Sequence, residues 1–285
     1  MVFDNAGKKS LGLRVGDRLL DLTQLEPNQP ADVADVLRQG PNELDRLAGL
    51  AGGAPKNAWR PAGDVALLPP TMRVGKIICL GLNYIDHAAE AGLQKPDYPV
   101  VFLRAATSLV GHGHPMMRPR CSDKLDYEGE LVAFIGKTGR HITRDEALSH
   151  IAGYSVFNDG SIRDYQTRTP QWTVGKNFDG TGGFGPEFVS ADELPPGAKG
   201  LTIQTRLNGH LVQDAKTDDM VFDVAETVAL LSECMTLEVG DLLVMGTPSG
   251  IGAVRKPPLW MKPGDICEVS IERLGVLRNP IAQEA

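Results

Sequence analysis

The chain has 285 residues, 42% of them hydrophobic and 23% charged, a composition that suits one large globular domain or a large domain with a small companion. A formal net charge of -7 offers no broad basic field for a phosphate backbone, so nucleic acid is not an expected partner. The N-terminus lacks the apolar stretch of a secretory signal and no apolar run is long enough to span a bilayer, which makes the cytoplasm the expected compartment and removes the membrane as a partner.

In chain order, residues 11–25 read as short strands around a Gly16-Asp17 turn, followed by a helix over residues 33–37, together a small α+β lobe. Residues 49–70 are rich in Gly, Ala and Pro, including Gly52-Gly53 and Pro69-Pro70, and suit a linker or extended crossing. This places a boundary near Pro70, with residues 1–70 as the lobe and residues 71–285 as the main domain. Short apolar runs at residues 77–80, 100–103, 131–135 and 242–245 read as strands. Thr143-Arg144-Asp145-Glu146 has the capping-box pattern, and residues 222–235 carry apolar positions near helical spacing. Asn208-Gly209 between two extended runs predicts a tight hairpin, because both residues tolerate positive φ. A second hairpin is expected over residues 266–271 and 276–277. The mix favours a β-rich α+β fold over a repeating βαβ wind, without internal repeats. Cys79, Cys121, Cys234 and Cys267 show no CxxC spacing, so they read as reduced thiols, mostly core filler.

The strongest chemical signal is Asp126-Tyr127-Glu128-Gly129-Glu130, which runs into the apolar residues 131–135. A strand repeats every two residues, so Glu128 and Glu130 share a face with Cα atoms about 7 Å apart. Like charges that close raise each other's proton affinity, and a divalent cation is the simplest neutraliser. Taken alone, the pair also fits a solvated strand face carrying two ordinary acids. A third acid, Asp159, follows the apparent strand Tyr154-Ser155-Val156-Phe157-Asn158 and shifts the reading towards a metal site. An oxygen-only set points to Mg2+, Mn2+ or Ca2+ rather than zinc.

At these residues the sequence resembles the fumarylacetoacetate hydrolase family. The likeness runs from about Lys76 onward through Gly81-Leu82-Asn83-Tyr84-Ile85-Asp86-His87-Ala88-Ala89-Glu90, the acidic motif above, Gly153-Tyr154-Ser155-Val156-Phe157-Asn158-Asp159, Gly175-Lys176-Asn177-Phe178-Asp179, Gly246-Thr247-Pro248-Ser249-Gly250, and Lys262-Pro263-Gly264-Asp265. It implies a mixed β-sandwich roll with a small N-terminal α+β lobe, a homodimer, and Mg2+ (or Mn2+) on Glu128, Glu130 and Asp159. Within it, His87 and Glu90 are implied as an acid/base pair, their i,i+3 spacing allowing the carboxylate to orient the imidazole. Lys176 is implied to meet developing negative charge. Arg163, Gln166 and Thr247 match substrate-contacting positions. The activity implied is hydrolytic carbon-carbon cleavage of a 2,4-dioxo acid such as an acylpyruvate, with isomerisation or decarboxylation of a 2-hydroxydienedioate or 2-oxo diacid as the alternative. Either way the partner is a small 2-oxo or enol carboxylate.

Two motifs are set aside. Gly180-Thr181-Gly182-Gly183-Phe184-Gly185 satisfies GxGxxG but does not follow a buried strand, so a dinucleotide turn is not expected. It also departs from the family pattern, which carries bulkier residues before Gly185-Pro186. Gly111-His112-Gly113-His114-Pro115 reads as a loop, since no third soft ligand accompanies the two histidines.

Overall fold

In the computed structural model, which describes residues 1–86 and 97–285, the chain is an α+β protein dominated by strands. The first five strands are β1 (Val2–Asn5), β2 (Lys8–Val15), β3 (Arg18–Asp21), β4 (Trp59–Pro61) and β5 (Ala66–Leu68). They form an antiparallel sheet in the order β4-β3-β2-β1-β5. Gly16, at φ +64°, supplies the left-handed turn between β2 and β3. Two expectations change here. Residues 22–25 are helical rather than extended, because the Asp21 carboxylate accepts from the Gln24 N–H at 3.0 Å and caps a turn. Residues 49–70 are more than a linker, since β4 and β5 form the two edges of this sheet.

Downstream lie β6 (Ile77–Gly81), β7 (Val100–Arg104), β8 (Leu109–Gly111), β9 (Met116–Arg118), β10 (Leu125–Asp126), β11 (Gly129–Ile135) and β12 (Ile151–Asp159). They are followed by β13 (Ser161–Ile162), β14 (Gly182–Ser190), β15 (Thr202–Leu207), β16 (His210–Lys216), β17 (Leu242–Val244), β18 (Ile266–Ile271) and β19 (Gly275–Gln283). A seven-stranded sheet has the order β7-β6-β17-β11-β12-β14-β8, and a five-stranded one β16-β15-β18-β19-β9. The hairpin between β15 and β16 turns on Asn208 and Gly209, both at positive φ as their sequence predicts.

β11 explains the layering. Its residues Leu131, Ala133 and Ile135 pack with Ile203, Val269 and Ile271 of the second sheet and with Val228 of the helix Val224–Cys234. The alternate residues Val132 and Phe134 pack with Cys79, Phe184 and Val244, and with Val2, Leu20 and Val33 of the N-terminal sheet and its helix. A strand covered on both sides has no solvent face to mark with polar residues, which is why it reads as a continuous apolar run.

The helix Arg144–Ala147 begins where the capping box predicts. The reciprocal cap does not form, because the Thr143 hydroxyl donates to the Glu146 carboxylate at 3.0 Å instead of accepting from the backbone. Cys79 and Cys267 are buried as core filler, whereas Cys121 and Cys234 are exposed. Among the described residues no helix is long and apolar enough to cross a membrane.

Candidate metal centre and its cavity

β11 and β12 pair antiparallel with Gly129 opposite Asn158. One step further out, the Asp159 N–H donates to the Glu128 carbonyl at 2.8 Å, so Glu128 faces Asp159 across the pair. Residues directly opposite share a sheet face, and Glu130 lies two residues from Glu128 on that same face. Register thus brings three carboxyls together from positions 31 apart or less. One oxygen from each of Glu128, Glu130 and Asp159 falls within 4.8 Å of the others, and all three residues are buried.

Each acid is held by donors. Lys176, at the end of the helix Thr173–Lys176, places Nζ 2.6 Å from Glu128 Oε2 and 2.5 Å from Asp159 Oδ2. Arg104, the last residue of β7, donates to Asp159 Oδ1 at 2.5 Å, Thr181 Oγ1 at 3.0 Å and Ser108 Oγ at 3.2 Å. Arg163 bridges Asp126 Oδ2 at 2.8 Å and Glu128 Oε1 at 2.7 Å. The Gly246 N–H donates to Glu130 Oε2 at 2.6 Å. Asp126 is itself fixed by the backbone N–H groups of Tyr127, Gly252 and Ala253. Residue 252 must be glycine for this, since a Cβ would lie 1.9 Å from the Leu259 carbonyl oxygen and 2.6 Å from Asp126 Oδ1.

The charges explain the titration. Four carboxyls (Asp126, Glu128, Glu130, Asp159) meet three cations (Arg104, Arg163, Lys176) in this buried group. Burial, with Asp159 and Glu128 alongside, pushes the Glu130 carboxyl well above the usual carboxylate range. A proton on Glu130 makes the formal count neutral. Lys176 is the converse case: burial works against its charge, but Asp159 and Glu128 outweigh it and raise the ammonium's proton affinity. The donor set fits a hard divalent cation. It consists of carboxylate oxygens alone, converges in one buried spot, and includes a group whose proton such an ion would displace.

The centre opens into a cavity of about 500 Å³, in the range of small-molecule sites. Glu128, Glu130, Arg163, Gln166, Lys176 and Thr247 all line it. Thr247 is preset, because its hydroxyl donates to the Gly129 carbonyl at 3.0 Å and accepts from Gln213 Nε2 at 2.9 Å. Arg163 Nη1 donates to Gln166 Oε1 at 2.9 Å. Phe102, Trp172 and Trp260, from distant parts of the chain, add apolar lining. His87 and Glu90 lie outside the described residues.

Two residues of the centre carry no local motif. Gln213, on β16, accepts from the Gly129 N–H at 3.0 Å and the Thr205 hydroxyl at 2.7 Å, and donates to Thr247 Oγ1 and the Pro248 carbonyl. It ties the second sheet to the glycine between two of the acids. Arg104 leaves an indirect trace in the glycine-rich stretch. Gly182 begins β14, and a Cβ there would lie 2.7 Å from Arg104 Nη2. The glycine therefore makes room for a guanidinium, and the strand that follows excludes a phosphate-binding turn into a helix.

A strand-rich α+β roll with a buried three-carboxyl centre beside a small cavity defines a class of enzymes, and residues 76–282 match the family model for the fumarylacetoacetate (FAA) hydrolase C-terminal region. The chain belongs to the fumarylacetoacetate hydrolase family. Among particular relatives, it is 37% identical over 276 residues to a protein of Homo sapiens named as a mitochondrial oxaloacetate tautomerase, covering 95% of this chain and 87% of that protein. The fumarylacetoacetate hydrolase of Exiguobacterium antarcticum superposes with a TM-score of 0.85 at 34% identity, covering 99% of this chain and 98% of that one. Maleylpyruvate hydrolase of Sphingobium has a TM-score of 0.80 at 27% identity, with 100% of both chains covered.

Proposed function

We propose that the protein is a divalent-metal-dependent enzyme that interconverts the keto and enol forms of a short 2-oxo acid. The observation that carries this reading is the buried carboxyl triad with its counter-charges. With Glu130 ionised and a divalent cation added, the formal charge of the buried group becomes one positive, which a single substrate carboxylate neutralises. Mg2+ or Mn2+ held by Glu128, Glu130 and Asp159 would supply Lewis-acid polarisation of the carbonyl next to that carboxylate. Lys176, whose ammonium is held by Glu128 and Asp159, would stabilise the carbonyl oxygen as it gains charge when the neighbouring carbon loses its proton. Arg163, Gln166 and Thr247 bind and orient the acid end. His87, aligned by Glu90, moves the carbon-bound proton, a role implied by the family resemblance. Returned to the oxygen, that proton gives the enol, so no co-reactant is consumed. Residues 71–285 form the catalytic unit in this reading, and the described cavity-lining residues run from Leu80 to Trp260.

The tautomerase name of a relative matched over 95% of the chain supports this choice. Hydrolysis of a 2,4-dioxo acid, the first expectation from the sequence, is the second reading. It uses the same enolate sink with His87 activating water, and the hydrolase names of the two structural neighbours favour it. The test is to follow enol absorbance of oxaloacetate and of acylpyruvates with purified protein, and to identify products by NMR. Oxaloacetate enol decay should accelerate, stop with chelator and return with Mg2+ or Mn2+. Release of pyruvate and a carboxylic acid from an acylpyruvate would select hydrolysis, and full turnover after rigorous metal stripping would end both readings.

A further inference from the structure

We propose that Trp172 is the specificity-determining wall of the cavity, limiting the bulk of the substrate's distal group; the inference rests on reading the cavity as a 2-oxo acid site. Trp172 immediately precedes the helix that ends in Lys176. Its indole covers the end of β6 so closely that a Cβ on residue 81 would lie 2.2 Å from Cζ3 and 2.8 Å from Cη2. Glycine at position 81 therefore seats this ring. The indole meets Phe102 edge-on, with centroids 5.8 Å apart and planes at 61°. On the same Phe102 ring, Lys176 Nζ lies 4.9 Å from the centroid. All three side chains line the cavity. One aromatic ring thus contacts both the cation of the reacting end and the indole. A ligand whose oxygen is held at Lys176 and whose chain extends across Phe102 meets Trp172 next. The ring is fixed where it meets β6, because the strand leaves no space for it to shift towards residue 81.

The chemical class that follows is a 2-oxo acid with a short distal group, and loss of the indole opens the site to aryl or branched tails. The test compares two probes by calorimetry on Mn2+-loaded protein: oxalate, which has only the chelating end, and N-phenyloxamate, which adds an aryl tail. In Trp172→Ala the ratio of the two affinities should move towards N-phenyloxamate by about tenfold or more, the scale at which a pocket discriminates small apolar groups. Trp172→Phe should lie between. Gly81→Ala should change the ratio by displacing the indole, and that change should vanish in the Gly81→Ala/Trp172→Ala pair, a cancellation that general unfolding does not produce. A ratio unchanged within about twofold in Trp172→Ala overturns the proposal while leaving the 2-oxo acid reading intact. Failure of both probes to bind any of these proteins sinks the reading and the proposal together.

Discussion

Arg104→Met removes a guanidinium whose side chain is wholly buried against an equally buried Asp159. The substitution roughly preserves volume, so its effect is electrostatic. Breaking a buried ion pair by deleting one partner costs about 3–5 kcal/mol, because the surviving charge has lost its compensation. Here Lys176 still holds the other Asp159 oxygen at 2.5 Å, and the Thr181 hydroxyl keeps its bond to the Phe178 carbonyl at 2.7 Å. The lower end, about 3 kcal/mol, is therefore expected. At roughly 2–4 °C per kcal/mol for a domain of this size, the metal-free protein should melt about 6–12 °C lower. Calorimetric melts in chelator and in excess Mg2+ check this. A divalent cation bound as proposed would restore positive charge beside Asp159, so the rise in Tm on adding Mg2+ should be larger in the variant than in the wild type. Arg104→Lys keeps the charge without the fork and should fall between them. A metal-free melt within about 2 °C of wild type would refute the reasoning: the pair would then contribute less than about 1 kcal/mol, and the Asp159 charge would be compensated without Arg104.

Two further outcomes follow from the centre. Glu130 binds its proton in the folded, metal-free protein at pH values where the unfolded chain has already released it, so metal-free stability should fall as pH rises from about the ordinary glutamate value of 4.5 through the raised one. A metal held there as proposed would displace that proton, so the gap between Mg2+ and chelator melts should widen with pH over this window; a gap independent of pH, or one equally steep in Glu130→Gln, counts against the assignment. Gln213→Leu strands the Gly129 N–H and removes a donor from Thr247 Oγ1, both buried, and should cost about 2–4 kcal/mol in urea denaturation. An unshifted midpoint would mean that the tie between the sheets is dispensable.

The carboxyl centre was legible because it is local. Period two put Glu128 and Glu130 on one face, and an apolar run ending in Asp159 marked the neighbouring strand, so only the register was left to place the third acid. The strand and hairpin signals at residues 77–80, 131–135 and 208–209 were equally self-contained. The N-terminal sheet was harder, because β4 and β5 are three-residue edge strands amid Gly and Pro, too short to show a period.

Two supports of the centre, the cation Arg104 and the amide Gln213, were hidden for a different physical reason. An acid cluster announces itself by like charges at close spacing, but the cation that makes it tolerable can arrive from anywhere the fold brings an edge near. Arg104 comes from the end of an outer strand of the seven-stranded sheet, 55 residues before its partner, and Gln213 from another sheet altogether. What does reach the sequence is the space they need: Gly182 beside the guanidinium and Gly129 under Thr205 and Gln213, where a Cβ would lie 2.7 Å from Arg104 Nη2 and 2.3 Å from Thr205 Oγ1. Glycines inside strands are costly unless something occupies the missing side chain's place. Here the neighbours of those glycines are the groups that hold the acids in position, so the unexplained glycines of the strands point to the supports of the centre as directly as the acids point to the centre itself.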